Sequence, residues 1–300
     1  MKLAIASTSL LALPTFNYLQ RNGHEVPILF SKPGKARGRG KVASDNEITS
    51  ILKQQHLQVE LTESDGDISK LIVSAGIELV IAISYGKLIK RTALAAPKHG
   101  WLNLHFSKLP QYRGAAPVQR AILDGNYDSG ITVFQLDEGM DTGPIYAQTD
   151  FSLHEKYATE ALDEMSSAGV LLIQEALEMI QSGIEPSAQI GLSTPAAKVD
   201  KAELRIDWYR PGDFALRQIR AFGDYPGAWS DLDGRKIKIL KARPSKEMGE
   251  PGVILNIEPL IVGLGSGSIE ILELQSESSK RMLASEWSRG ARVQVGNRFQ

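Results

Sequence analysis

The sequence predicts an α/β protein, with a mainly parallel sheet followed by a smaller β-barrel or sandwich. Three observations carry that prediction. Through the first three-fifths of the chain, short apolar runs alternate with single stretches of helical periodicity, as βαβ units require. After Gly183 the composition turns to Pro, Ser, Thr and Ala with no clean period, which is how a linker reads. Beyond it, short strand-like segments follow one another with turn residues between them. At 300 residues the chain has room for two cores.

The elements follow in order. Leu3-Ala4-Ile5-Ala6 is a first buried strand, and hydroxyl residues interrupt it too soon for a secretory signal. Residues 14–22 are helix-like, with Gly23 able to take the left-handed closing conformation. Val26-Pro27-Ile28-Leu29-Phe30 is a second strand, its proline marking an edge or an irregularity. A helix over 48–56, a strand over 57–61 and a helix over 67–75 lead to the apolar strand at 77–83. Strands at 101–106 and 131–136 and a long helix at 162–180 complete the first part. In the second part, a helix at 214–222 precedes strands at 236–240, 252–257, 260–264 and 268–274. Gly263, Gly265 and Gly267 alternate between two of these strands and read as a hairpin turn. No internal repeat is present.

Composition excludes several classes. Apolar residues make up 42% and charged residues 23%, which rules out disorder as the main theme. A formal charge of −1 means that any nucleic-acid contact must come from a local patch. The absence of cysteine excludes a disulfide scaffold, thiolate zinc sites and a cysteine nucleophile, and fits a reducing cytoplasm. Leu10-Leu11-Ala12-Leu13 stops at Pro14, far short of the ~20 residues of a membrane span. The Gly-Lys spacing within 34–41 is wrong for a phosphate loop, and Ser7-Thr8-Ser9 lacks the glycines of a dinucleotide fingerprint. None of the five histidines has metal-ligand spacing.

The informative region is 100–146. Asn103 and His105 stand two apart on one strand, so their side chains leave the same face near its carboxyl end. Open parallel sheets place ligands at that end. Polar groups on an apolar strand are costly unless they bond something, though a lone strand histidine is commonly structural. The loop Ser107-Lys108-Leu109-Pro110-Gln111-Tyr112-Arg113-Gly114-Ala115-Ala116-Pro117 combines stiff prolines with small residues, suiting a wall for a planar ligand. The turn Asp137-Glu138-Gly139-Met140-Asp141-Thr142-Gly143 ends the next strand, and Asp141 is the natural partner for His105.

Together, Asn103-x-His105, the 107–117 loop and the 137–143 turn resemble the active site of the folate-dependent formyltransferases. Lys32-Pro33 with Gly38-Arg39-Gly40-Lys41, Ser84-Tyr85-Gly86, the run from Ala202 to Trp208, Ile219-Arg220-Ala221-Phe222, Tyr225-Pro226-Gly227 and Gly296-Asn297-Arg298 are similar to the methionyl-tRNA branch of that family. Two positions depart from the pattern. Ser7-Thr8-Ser9 stands where members commonly carry Gly-Thr-Pro, and Lys108 stands where a leucine is usual.

The resemblance implies a Rossmann-like formyltransferase domain over 1–183, a linker over 184–203 and a β-barrel, OB-like tRNA-binding domain over 204–300. It implies transfer of a formyl group from 10-formyltetrahydrofolate, without a metal, to the α-amino group of methionyl-initiator tRNA in a cytoplasmic protein. Attack of the amine puts negative charge on the formyl oxygen. The Asn103 amide would donate to that oxygen, a kind of contact worth ~3 kcal/mol in the barrier. His105 would donate to it or move a proton, and Asp141 would support the imidazolium or relay a proton through water. The identity of the base stays open. By the same resemblance, folate would lie along Ser107, Lys108, Leu109 and Pro110, against Tyr85, Gly86 and the turn beginning at Asp137. No obligate protein partner is implied.

Lys35, Arg37, Arg39 and Lys41 alternate with small residues in a segment without hydrophobic period. Alone this reads as a solvated loop; the resemblance makes it a contact to the tRNA acceptor stem. Residues 205–300 hold 15 basic against 12 acidic side chains, and Arg217, Arg220, Lys236, Lys238 and Lys241 are candidates for a further basic surface. Alternative readings are a formyltransferase acting on a ribonucleotide or a nucleotide-linked amino sugar, a non-catalytic RNA-binding protein, and, more distantly, a dehydrogenase.

Overall fold

The chain alternates strands and helices as its hydrophobic pattern requires. Its strands are β1 (Lys2–Ser7), β2 (Glu25–Ser31), β3 (Gln58–Leu61), β4 (Leu79–Ile83), β5 (Trp101–His105), β6 (Arg113–Gly114), β7 (Asp128–Gln135), β8 (Ile145–Ser152), β9 (Pro195–Ala196), β10 (Trp229–Leu232), β11 (Arg235–Ser245), β12 (Ile254–Asn256), β13 (Ile261–Gly263), β14 (Ser268–Ser276) and β15 (Met282–Leu283). Its α-helices are α1 (Leu13–Arg21), α2 (Glu47–Gln54), α3 (Asp65–Ala75), α4 (Arg91–Leu94), α5 (Pro117–Asp124), α6 (Ala158–Gln181), α7 (Phe214–Phe222) and α8 (Ala284–Ala291). The structure, a computed structural model, describes residues 1–33, 45–210, 213–277 and 279–300. Two compact units emerge: Met1–Pro117 with Asp128–Ser152 and Leu162–Ala196, and Val118–Tyr127 with Leu153–Ala161 and Ala197–Gln300.

The first unit is built on a seven-stranded sheet in the order β3-β2-β1-β4-β5-β7-β8. The first five strands run parallel, and β7 and β8 join antiparallel. β1 and β4 lie at the centre and are covered on both faces, which explains their near-continuous apolar sequence. Pro27 coincides with a slip in the β1–β2 register, since Lys2 pairs with Glu25 but Ala4 pairs with Ile28. Helix ends follow local chemistry. The Asn46 side chain accepts from the Thr49 N–H, Ser64 accepts from the Asp67 N–H, and Gly76 closes α3 at φ +65°. On one side of the sheet Ile28, Phe30, Ile68, Ile72, Val80 and Trp101 form a buried cluster.

This topology makes a crevice at the carboxyl ends of β1 and β4, where the direction of strand addition reverses. The Thr8 side chain and backbone there both donate to the Ser84 carbonyl. The segment 184–203, expected as a linker, is tethered for much of its length. Ser187 bridges to Ile145, β9 pairs with β6, and the Thr194 carbonyl accepts from the Arg113 N–H.

The second unit carries an antiparallel sheet in the order β10-β11-β14-β13-β12, with β15 paired to β14. The last residues join its two edges. Gln300 exchanges backbone hydrogen bonds with Asp231 on β10, and residues 296–299 bond to Gly252 and Ile254 near β12. Phe299 is fully buried against Trp208, with ring centroids 5.6 Å apart. The sheet is thereby closed into the barrel-like form that the turn spacing anticipates. The Leu264 N–H donates to the Gly267 carbonyl, so Gly265 and Gly267 lie in the β13–β14 turn, while Gly263 is the last residue of β13 and pairs with Ser268. Among the described residues, no helix is long and apolar enough to cross a membrane.

Candidate active site

Asn103 and His105 lie on β5, while Leu102 and Leu104 turn to its opposite, buried face. Asn103 is half-buried, and its carboxamide has no hydrogen-bond partner among the described residues. His105 is 5% exposed and sits edge-on to Phe134. Its Nε2 lies 3.0 Å from the Tyr112 carbonyl oxygen. Since a carbonyl only accepts, Nε2 carries a proton, and Nδ1 is the nitrogen that faces the Asp141 carboxylate at 3.8 Å.

Asp141 is presented by a turn with unusual backbone. It adopts φ +54°, a left-handed conformation that side chains other than glycine occupy sparingly. Its Oδ2 accepts the Gly114 N–H at 2.7 Å. Gly114 itself is confined. At φ +132°, a Cβ there would stand 2.5 Å from the Ala196 carbonyl oxygen, so only glycine lets the loop approach β9 this closely. Asp137 holds the other end of the turn, accepting from the Gly139 N–H and the Thr142 hydroxyl.

The structure thus gathers His105 and Asp141, and puts Asn103 on the same strand face as His105. The residues expected along a folate divide into two groups. Ser107, Leu109, Pro110 and Tyr85 are buried, while Lys108, Gly86 and Asp137 are exposed. The Ser107 hydroxyl donates to the Gln111 carbonyl, and the Leu109 N–H donates to Thr132. Burial, reinforced by Glu63 and Asp65, holds the Tyr85 phenol neutral, well above the ordinary range. Lys108 pairs with Asp150, and Lys32 reaches the Gly86 carbonyl at 2.5 Å. Lys35, Arg37, Arg39 and Lys41 lie outside the described residues.

Several residues that hold the site carry no signal in the sequence. Buried Thr132 donates to the Ser107 carbonyl and accepts from Leu109 and Gln148, tying the 107–111 loop to β7. Gln189 bonds to Asp141, Gly143 and Arg113 from within the supposed linker. A buried threonine on a strand and a glutamine in a polar segment look like any others in one sequence.

Of the second unit's candidate cations, two are engaged. Arg217 pairs with Asp213 and donates to the Leu123 carbonyl, and Lys241 pairs with Glu273. Lys236 and Lys238 stay outside ion pairs among the described residues; Lys236 lies over the Trp229 ring, 4.1 Å from its centroid, with Arg205 also near that ring. No cluster of three metal-ligating side chains occurs among the described residues.

Residues 1–170 match the formyl transferase family and residues 198–292 match its C-terminal domain. A methionyl-tRNA formyltransferase from Thermus thermophilus is 36% identical over 307 residues, covering 100% of this chain and 99% of that one. The structure of HypX from Aquifex aeolicus in complex with tetrahydrofolic acid superposes with TM-score 0.72 at 20% identity over 98% of this chain. This chain spans 48% of HypX. A methionyl-tRNA formyltransferase from Clostridium thermocellum gives TM-score 0.59 at 16% identity, covering 82% of this chain and 94% of that one. Matched along its whole length, the chain belongs to the formyl transferase family and, within it, to the methionyl-tRNA formyltransferases.

Proposed function

We propose that this protein transfers the formyl group of 10-formyltetrahydrofolate to the α-amino group of methionyl-initiator tRNA, releasing N-formylmethionyl-tRNA and tetrahydrofolate. The full-length match to methionyl-tRNA formyltransferases supports the reading. The observation that carries it in this chain is the Asn103 carboxamide, which has no hydrogen-bond partner among the described residues, on the strand face of a histidine whose Nδ1 faces a carboxylate.

The residues present fit a folate. Asn103 offers a free half-buried amide, and the exposed Gly86, Lys108 and Asp137 would flank the donor from three segments. Ser107, Leu109, Pro110 and Tyr85 would support that surface from beneath, since their side chains are buried. When bound, 10-formyltetrahydrofolate supplies an already activated formyl carbon. The Asn103 N–H would donate to the formyl oxygen as that atom gains negative charge, in a setting where a fixed donor needs no reorganisation. His105 would take or return a proton at Nδ1, because Nε2 is committed to Tyr112. Asp141, oriented by the Gly114 N–H, would balance charge at that nitrogen. Lys35, Arg37, Arg39 and Lys41 would meet tRNA phosphates, joined by Lys236 and Lys238 of the second unit, which lie outside ion pairs among the described residues.

Incubation of the protein with 10-formyltetrahydrofolate and charged initiator tRNA tests the reading. N-formylmethionine should appear on the tRNA, whereas nucleotide-linked amino sugars and glycinamide ribonucleotide should stay unmodified. Formylation of those small amines in place of the tRNA would overturn it.

A further inference from the structure

The turn that presents Asp141 is fastened by a residue from a distant stretch of chain. Gln189 spends its whole carboxamide on two segments. Its Nε2 donates to the carbonyl oxygens of Asp141 at 2.9 Å and Gly143 at 2.8 Å, and its Oε1 accepts from Arg113 Nε at 3.1 Å and Nη2 at 2.6 Å. Arg113 stands between Tyr112, whose carbonyl accepts from His105, and Gly114, whose N–H donates to Asp141. One side chain therefore links the two segments that contact the histidine from either side.

That link meets a specific need. Asp141 at φ +54° occupies a conformation that persists only where its surroundings over-determine it. The Asp141 side chain receives one backbone hydrogen bond, from Gly114, and the Asp141 carbonyl receives another, from Gln189. Gly143 is fixed in the same sense: a Cβ there would stand 1.8 Å from the Gln135 carbonyl oxygen, so the turn closes tightly onto the end of β7. Nearby, the strap that carries Gln189 is anchored through Thr194, which accepts from the Tyr112 N–H and, at its carbonyl, from the Arg113 N–H. The strap holds the 112–114 loop at both positions, but among the described residues only Gln189 reaches across to the turn.

We propose that Gln189 is a positioning residue for formyl transfer, setting the backbone at Asp141 so that its carboxylate faces Nδ1 of His105; this rests on the formyl-transfer reading above. Gln189 touches no reacting atom. It acts through Asp141, so its loss should lower turnover without weakening substrate binding.

Two substitutions in the full-length chain test this. Gln189→Met keeps the length and removes every hydrogen bond. Gln189→Glu keeps an acceptor for Arg113 and removes the donors to the two carbonyls, so it leaves the strap fastened to the loop if Gln189→Met fails to fold. In folded variants, kcat for formylation of methionyl-tRNA should fall about 10- to 100-fold, with KM for both substrates within about twofold of wild type. Placed on top of Asp141→Asn, the same change should cost less than about threefold more. Hydrogen exchange should quicken in peptides covering 113–116 and 137–144 and stay unchanged in β1 and β4. Unchanged kcat, a rise in KM that accounts for the loss, or an equal loss with and without Asp141 would overturn the proposal. A wild-type chain that formylates nothing would refute the formyl-transfer reading instead, and the exchange measurement would still decide whether Gln189 holds the turn, unchanged exchange refuting it.

Discussion

The carbonyl oxygen of Tyr112 decides which nitrogen of His105 faces Asp141. At 3.0 Å it accepts from Nε2, and the 3.8 Å separation between Nδ1 and the carboxylate is too long for a hydrogen bond. The imidazole is thus held by the backbone on one side and left available on the other. His105→Ala should lower kcat by at least ~100-fold while leaving tRNA affinity within experimental error. Single-turnover formylation and a filter-binding titration measure the two quantities, and a parallel loss of affinity would make the residue merely structural.

The basic segment makes a separable contribution. Arg39→Ala should slow formylation of methionyl-tRNA, leave folate affinity near wild type, and flatten the dependence of tRNA binding on salt by about one phosphate contact. A titration of binding against potassium chloride reads this directly. Equal damage to folate and tRNA binding would assign the segment to the fold.

Acid stability of the first unit should depend on Asp65. Burial pushes its carboxyl up, but hydrogen bonds from the Lys87 ammonium at 2.7 Å and the Lys90 N–H at 3.0 Å outweigh it, so the net shift is downward from 3.8. A depressed carboxyl stabilises the fold fully above its unfolded value and loses that contribution as pH falls through the folded one. Asp65→Asn should therefore cost roughly 1–3 kcal/mol at pH 7, with the deficit shrinking below about pH 4. Urea titrations at pH 7 and pH 3 would contradict this by showing the same deficit at both.

Closure of the second sheet rests on its last residues. Phe299→Ala should destabilise that unit by about 3–5 kcal/mol, the range for emptying a buried aromatic site. Differential scanning calorimetry should show a lowered transition for this unit, and an unshifted one would mean that the edges hold without it.

Much of this was legible in the residues. Apolar runs gave the central strands within a residue or two because β1 and β4 are buried on both faces, and helix α7 (Phe214–Phe222) lies where its periodicity puts it. β8 escaped notice because half its side chains are solvated and its alternation is weak. α5 was hidden by its first residue, Pro117, which reads equally as the end of a loop. Asn103 and His105 stood out as polar groups at a strand end and Asp141 as an acid in the following turn, while the roles expected of them came from the family resemblance. The buried side chains of Ser107 and Leu109 could not be told from ligand-facing ones, since facing depends on Thr132 and Gln148 reaching them from other strands. Gln189 was invisible for the same reason: its partners, two backbone carbonyls and the Arg113 guanidinium, are brought near only by the return of the chain.

The left-handed backbone at Asp141 gives one side chain two duties. Glycine would adopt that backbone freely, but Asp141→Gly also deletes the carboxylate that accepts the Gly114 N–H, leaving that donor without its partner. Relief of the backbone and loss of the bond therefore oppose each other, and a chain kept for heat resistance alone has no strong reason to discard the aspartate.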